Sequence, residues 1–476
     1  MLKFRMSAKT LTTALGLAWA TTASAQSLPS PAAPATISRL AAVAPQPRSA
    51  APSSSAGVIS ADHLFSDGQV GEVTQTGHRR AAQQCQPCQV YECPPTYSYC
   101  EPCSSGFGDC LFNADADAFD LSDSFWDALG YESTLDFGGW MQFGYHNHSD
   151  GVFNTRPHDL QAQQINLYVE QVADGSEGFG IGGRIDMMYG TDAPNTQSFG
   201  NHPGRWDYDP AQSNYWSNRG GAGATSTSYG WAIPQAYVEL ATGDLSVKVG
   251  HFYTLLGYQV VPATGNFFYS IPYTFNFSEA FTHTGALATY KASDDVTVYA
   301  GWTAGWDTGY DQLFGGNAFL GGTSLALTDD MTLTYIATAG NLGWIGRGYT
   351  HSIVLDYNIN EDWEYVFQSD LVSVENSPGN TVNPINGGAN TDFDSIGINQ
   401  YLFYKITDGV RAGGRMEWYK ADGTSYYEAA LGLNIRPLPN ILVRPEVRHN
   451  WSPSDSVIGT PYGDQTIGAV DVIFTF

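Results

Sequence analysis

The stretch Thr466-Ile-Gly-Ala-Val-Asp-Val-Ile-Phe-Thr-Phe476 decides how the rest of this sequence is read. One side of it carries Gly468, Val470, Val472, Phe474 and Phe476; the other carries Ile467, Ala469, Asp471, Ile473 and Thr475. A period of two is the signature of a strand. An apolar face opposite a face bearing a carboxylate calls for an apolar medium on one side only. Bulk composition narrows what that medium is. Charged residues make up 14% of the chain, well below the roughly 25% of soluble domains. Aromatics reach 13%, which excludes a disordered polymer. A formal net charge of −26 without a Lys/Arg-rich run excludes a nucleic-acid partner.

Working back from the last strand, the same texture holds to about Leu135. Candidate strands fall at 135–146, 158–172, 179–190, 232–241, 245–255, 283–292, 296–306, 318–328, 331–339, 349–359, 363–371, 395–406, 410–419, 426–436, 441–451 and 465–476. Seven connections are tight and carry turn chemistry: ADGSEG, TGD, SDD, TDD, NED, TDG and PLPN. Longer links alternate with them, including 191–231, 256–282 and 372–394. Many strands of about 9–11 residues, with short turns at one end and long loops at the other, predict an all-β transmembrane antiparallel barrel. The expected count is about sixteen strands, within two either way. Closure leaves no sheet edge unpaired in lipid. No run of about 18 apolar residues exists from which to build a membrane-spanning helix.

The alternation assigns faces. Ile181, Gly183, Ile185, Met187 and Tyr189 oppose Arg184 and Asp186. Val410, Ala412, Gly414, Met416 and Trp418 oppose Arg411, Arg415 and Glu417. Tyr427, Ala429, Leu431, Leu433 and Ile435 oppose Glu428, Asn434 and Arg436, and Val443, Pro445 and Val447 oppose Arg444, Glu446 and Arg448. An outward Arg at mid-bilayer costs about 2–4 kcal/mol, so the charged sides are placed inward. Glu239, Lys248, Asp356, Glu364 and Asp370 join them as candidate pore-lining residues. A barrel this wide is too large for wall side chains to fill, so a water-filled lumen is expected. The basic arc of residues 410–451 would set a transverse field there, offset by the loop carboxylates Asp207, Asp209, Asp392 and Asp394. The alternative for any single charge is an ion pair that only braces the wall. Tyr189, Trp363, Tyr365, Trp418 and Tyr427 lie near strand ends, as interfacial girdles require.

Residues 1–25 read as a secretory signal: Lys3, Arg5 and Lys9, the apolar run 11–20, then Ala23-Ser24-Ala25. Residues 26–84 are an Ala/Pro/Ser-rich disordered linker. The segment 85–114 holds Cys85, Cys88, Cys93, Cys100, Cys103 and Cys110. In an exported chain this even set favours disulfides over zinc or free thiols, with the pairing left open. Within 115–134, Leu121, Phe125 and Leu129 predict a short amphipathic helix ending at Gly130.

WMQFGYHNHSDGVFNTRPHDLQAQQINLYVEQ (140–171), MMYGTDAPNTQSFG (187–200), WAIPQAYVELATGDLSVKVGHFYTLLGY (231–258), FTHTGALATYKASDDVTVYAGWTAGWDTG (281–309) and INQYLFYKITDGVRAGGRMEWYKADGTSYYEA (398–429) together resemble the putative beta-barrel porin-2, OmpL-like family. The resemblance spans about residues 130–476. It implies an outer-membrane barrel that passes small hydrophilic solutes, with no catalytic residues and no cofactor. It also implies that Phe474 and Phe476 are read by barrel-assembly machinery. The link 256–282 is the third long one, where general porins fold a loop inward as a constriction. Its candidate constriction residues are Phe267, Phe268, Tyr269, Tyr273, Phe275, Phe277 and Glu279. The aromatics there suit stacking on sugar rings, or else packing at the rim or against another subunit. General porins of this strand number are often trimers; no residue pattern here demands that state.

Three function classes compete. A passive diffusion channel is the expected one. The alternative is a non-conducting receptor, adhesin or envelope-anchoring barrel, whose N-terminal arm would hold cell-envelope material. An enzyme is not expected: His146, His148, His158, His202, His251, His283, His351 and His449 are scattered, and no G-x-S-x-G elbow appears.

Overall fold

The computed structural model describes residues 118–476 apart from 132, 150–152, 155, 203, 209–228, 313, 376–391, 422 and 454–463. The expected signal, linker and Cys-rich segment, with all six cysteines, lie outside the described residues. A short helix α1 (Leu121–Leu129) precedes sixteen strands: β1 Leu135–His146, β2 Gln161–Gln171, β3 Gly180–Gly190, β4 Gly230–Thr242, β5 Leu245–Tyr253, β6 Thr282–Ser293, β7 Val296–Thr303, β8 Asn317–Thr328, β9 Met331–Asn341, β10 Arg347–Asn358, β11 Trp363–Glu375, β12 Phe393–Thr407, β13 Val410–Ala421, β14 Thr424–Leu438, β15 Ile441–Trp451 and β16 Gln465–Thr475. Each pairs with its sequence neighbour, and β1 pairs with β16, so the sheet is a closed barrel. Two short helices interrupt the long links, α2 (Ala193–Thr196) and α3 (Tyr273–Ser278).

The last strand closes the ring in antiparallel register, Phe143 opposite Val472 and Gly144 opposite Asp471. Phe476 completes the seam: its N–H donates to the Gly139 carbonyl at 3.0 Å, and its carbonyl accepts from the Gly139 N–H at 2.8 Å. Outward positions are apolar and exposed, as at Ile181, Ile185, Val238, Met416, Leu431, Val447 and Val470. The opposite positions Asp186, Arg415, Glu417, Glu428, Arg444, Glu446, Arg448 and Asp471 are all buried inside. Aromatic pairs mark both rims, Trp363 with Tyr404 at 4.5 Å and Tyr427 stacked on Trp451 at 5.4 Å.

Most strands run a few residues longer or shorter than expected, β11 to Glu375 rather than 371, and two of the differences have backbone reasons. The strand expected from 158 begins at Gln161, because His158 sits at φ 68, outside the extended region. The strand expected to run to 306 ends at Thr303, where Gly305 (φ 105) and Asp307 (φ 48) turn the chain. α1 matches the expected helix: Asp120 caps its start by accepting from the Asp123 N–H at 2.9 Å, and Gly130 ends it at φ 70. Phe125 and Trp126 pack edge-on against Phe137 at 5.4 and 6.1 Å, and so dock the helix on β1 at the short-turn rim.

Candidate functional site

The segment between β5 and β6 turns into the barrel and lies along the inner wall of β10–β16. Its backbone would be an unsatisfied polar surface there, and the wall supplies partners residue by residue. Glu417 on β13 accepts from the N–H groups of Tyr273 and Thr274 at 2.7 and 2.6 Å and from the Thr274 hydroxyl at 2.6 Å. Glu446 on β15 accepts from the Ser270 N–H at 3.0 Å and from the Ser270 hydroxyl. Arg415 donates to the Ser270 carbonyl at 2.9 Å, Arg448 to the Ile271 carbonyl at 2.8 Å, and Arg444 to the carbonyls of Ala263 and Asn266 at 2.9 and 2.6 Å. Across the lumen, Gln164 on β2 binds both neighbours, donating to the Val261 carbonyl at 2.7 Å and accepting from the Ala263 N–H at 3.0 Å.

These arginines are tolerated inside because each also faces a carboxylate at short range. Arg415 and Arg448 share Glu428, at 2.6 and 3.0 Å, and Arg444 grips both oxygens of Asp471, at 2.9 and 2.5 Å. The basic arc foreseen from the sequence is therefore largely neutralised, and its three central arginines are covered by the loop. Arg436 makes no ion pair among the described residues and is only half-buried.

Aromatic side chains fill the same interface. Phe267 packs on Phe403 at 4.7 Å, Phe268 faces Tyr401 at 6.5 Å, and Tyr273 stacks on Tyr419 at 6.1 Å. Phe275 and Phe277 are fully buried, and Tyr269 contacts His146 and Gln163. Phe267, Phe268, Tyr273 and Phe277 thus turn to the wall of β12 and β13, Tyr269 to β1 and β2, and Phe275 to Phe153 and Phe281. A glycine on β13 makes room for one of these rings. A Cβ on Gly413 would run into the Phe267 ring, whereas one on Gly432 would only touch Phe268 at 3.4 Å.

Nearer the short turns the wall is wetter. Arg184 pairs with Glu170 at 2.8 Å and Asp186 at 2.6 Å beneath Tyr168, and keeps 19% of its side chain exposed. Lys248 stands 4.2 Å over the Tyr237 ring with Glu239 opposite it in the register, and Arg411 pairs with Glu364 at 2.5 Å with 14% exposed. Asp356 faces inward and is buried. Between the loop and the β1–β2 wall lies a small cavity of about 20 Å³, room for a single water, bordered by Gln142, Gln164, Tyr269 and Arg444.

The loop carboxylates are shaped by burial. Burial pushes Asp307 up to about 7 although it accepts from the Phe281 and Thr282 N–H groups at 2.6 and 3.1 Å. Burial likewise raises Asp207 to about 6 against the N–H donors of Ile233 and Ser198. Glu279 is raised well above the carboxylate range by burial first and by Asp370 second.

Sequence reasoning placed most of the inward charges, but gave no role to Gln164, Ser270, Gln368 or Asp307. The amide-rich run Gln161–Asn166 was the available signal for the first. The other three look like ordinary polar residues until the loop is seen against its wall.

The family model described as "Putative beta-barrel porin-2, OmpL-like" matches residues 134–476. No curated protein matches the chain. Among solved structures, the outer membrane channel DcaP of Acinetobacter baumannii is 11% identical with a TM-score of 0.47, covering 72% of this chain and 97% of that one. The trimer form of OmpT, an outer membrane protein of Vibrio cholerae, is 12% identical with a TM-score of 0.44, covering 72% and 99%. A mutant of the Rh. blastica porin is 13% identical with a TM-score of 0.45, covering 72% and 100%. Similarities this low carry no statement about how the present chain works.

Proposed function

From the premise that this chain belongs to the putative beta-barrel porin-2, OmpL-like family, we propose that it passes small hydrophilic solutes passively across the outer membrane. The observation that carries this reading is the inner wall: Arg, Lys, Glu, Asp, Gln and Asn side chains line it on β1–β5 and β10–β16, while the outer face is apolar. A barrel that served only as an anchor has no need of three ionisable groups on the inward face of one strand, as on β13 and β15, each costly to desolvate. The loop between β5 and β6 would narrow the passage. The partly exposed Arg184, Glu239, Lys248, Arg411 and Arg436 would line its mouth on the short-turn side, where solutes meet both signs of charge. A homotrimer, and lipid around the outer face, are part of the same proposal.

Swelling of vesicles carrying the full chain tests it, with sugars of graded size outside. Uptake that falls with solute size supports a diffusion channel. Vesicles that hold folded barrel yet swell no faster than empty ones refute it, and leave the receptor or anchoring reading.

A further inference from the structure

Two carboxylates on opposite sides of the loop–wall interface use the same hydrogen-bond donor. The amide nitrogen of Gln368 on β11 donates to Glu279, just after α3, and to Asp370 on its own strand, each at 2.6 Å. Both acids are fully buried, at 1% and 0% exposure. Each keeps one buried oxygen without a hydrogen-bond partner, Oε2 of Glu279 and Oδ1 of Asp370. The groups packed around them do not neutralise two charges. Glu417 on β13 adds a third carboxylate, already used by the loop backbone. Glu428 on β14 is taken by Arg415 and Arg448, and Arg415 also donates to Ser270. Tyr401 on β12 adds no charge, and the Ser352 hydroxyl on β10 hydrogen-bonds to Asp370 without neutralising either acid. Gly257, whose N–H donates to Ser352 at 3.1 Å, has φ 89 and sits so close to the Glu279 carboxyl that a side chain there would strike it. The absence of a side chain at Gly257 thus lets the Glu279 carboxyl lie against the loop backbone.

We propose that Glu279 and Asp370 form a proton-operated latch: one proton held between them docks the second half of the inward loop on β11, and its loss at alkaline pH releases that half from the wall. The chemistry is a single proton transfer to solvent hydroxide, leaving two carboxylates on one amide donor. Like charges in so dry a site cannot both persist at this separation. The segment that moves is the one carrying Glu279, because β11 is held on both edges by β10 and β12. Burial and Asp370 hold the Glu279 carboxyl well above its ordinary range, in agreement with this geometry.

The latch rests on the loop's placement and is tested with or without conduction. Full-length protein in micelles is treated with chymotrypsin between about pH 7 and about pH 9.5, and cleavage within residues 256–281 is followed with a denatured control at each pH. The rate relative to that control is expected to rise by about tenfold per pH unit through the transition, as one proton per loop requires. Glu279→Gln and Asp370→Asn are each expected to abolish this rise, since either leaves a single carboxylate on the Gln368 amide. Two variants are used because one of them could unfold the barrel, which heat-modifiable migration reports. A flat wild-type profile, or a rise that survives in a folded variant, overturns the latch. A titrating wild type that never conducts in a planar bilayer would keep the latch and remove the channel reading. Conduction with a flat cleavage profile would do the reverse.

Discussion

Glu417→Ala is the perturbation whose magnitude follows most directly from the structure. The carboxylate accepts three hydrogen bonds from Tyr273 and Thr274, all within 2.6–2.7 Å. Bonds to charged groups contribute about 1.5–3 kcal/mol each, so the gross loss is about 4–9 kcal/mol. Against this stands the relief of desolvating a carboxylate beside Glu428 and the Glu279–Asp370 pair, which returns a few kcal/mol. A net loss of about 3 kcal/mol is the working figure, equal to about a 100-fold fall in the ratio of docked to undocked loop. Hydrogen exchange at the Tyr273 and Thr274 amides reads that ratio directly, because local opening governs exchange from a buried site. The variant is expected to exchange these amides about two orders of magnitude faster, while amides of β13 and β14 stay protected. Glu417→Gln keeps one acceptor oxygen and is expected to fall between. Unchanged exchange at Tyr273 and Thr274 in a folded Glu417→Ala barrel would refute the reasoning that this wall residue holds the loop.

Three other outcomes follow from single sites. Asp471→Ala strips the partner from buried Arg444 and from the Gln142 amide; breaking a buried pair costs about 3–5 kcal/mol, so the denaturant midpoint of the barrel should drop clearly, and an unchanged midpoint would contradict the pairing. Leu431→Arg places a charge on the outward face, where Leu431 is 72% exposed; the unfolding free energy in bilayers should fall by about 2–4 kcal/mol, and no change would mean that this face does not meet lipid. Asp307, with its carboxyl pushed up to about 7, keeps its proton in the folded state after the unfolded state has lost it near about pH 4. Its contribution to stability is therefore full at low pH and lost as pH climbs towards 7. The difference in unfolding free energy between wild type and Asp307→Asn should narrow or reverse along that climb; a constant difference would sink the assignment.

The barrel was legible because lipid punishes error on one face only. An outward Arg is costly and an inward one is not, so Arg184, Arg415 and Arg444 report their register without any knowledge of what they touch. Gly, Asp and Asn in the seven tight turns did the rest, by ending strands at one rim. The loop was legible as an anomaly, a run of aromatics in a position that should be polar. Its seat was not, because the partners lie far away in sequence: Thr274 meets Glu417 and Ser270 meets Glu446. Backbone carbonyls of Ala263, Asn266, Ser270 and Ile271 are the acceptors for three arginines, and a carbonyl has no residue-type signature. That is why the same arginines read from the sequence as residues facing open water. The pairing of Glu279 with Asp370 was hidden for the same reason: each acid alone looks like one more inward charge.

The central claim is that the polar-walled barrel conducts past a docked loop. Single-channel recording of the full chain in planar bilayers tests it most directly. Discrete, reproducible current steps are expected, with step size falling as neutral polymers small enough to enter are added to both sides. Insertion of folded, heat-modifiable protein without any discrete step would contradict the account.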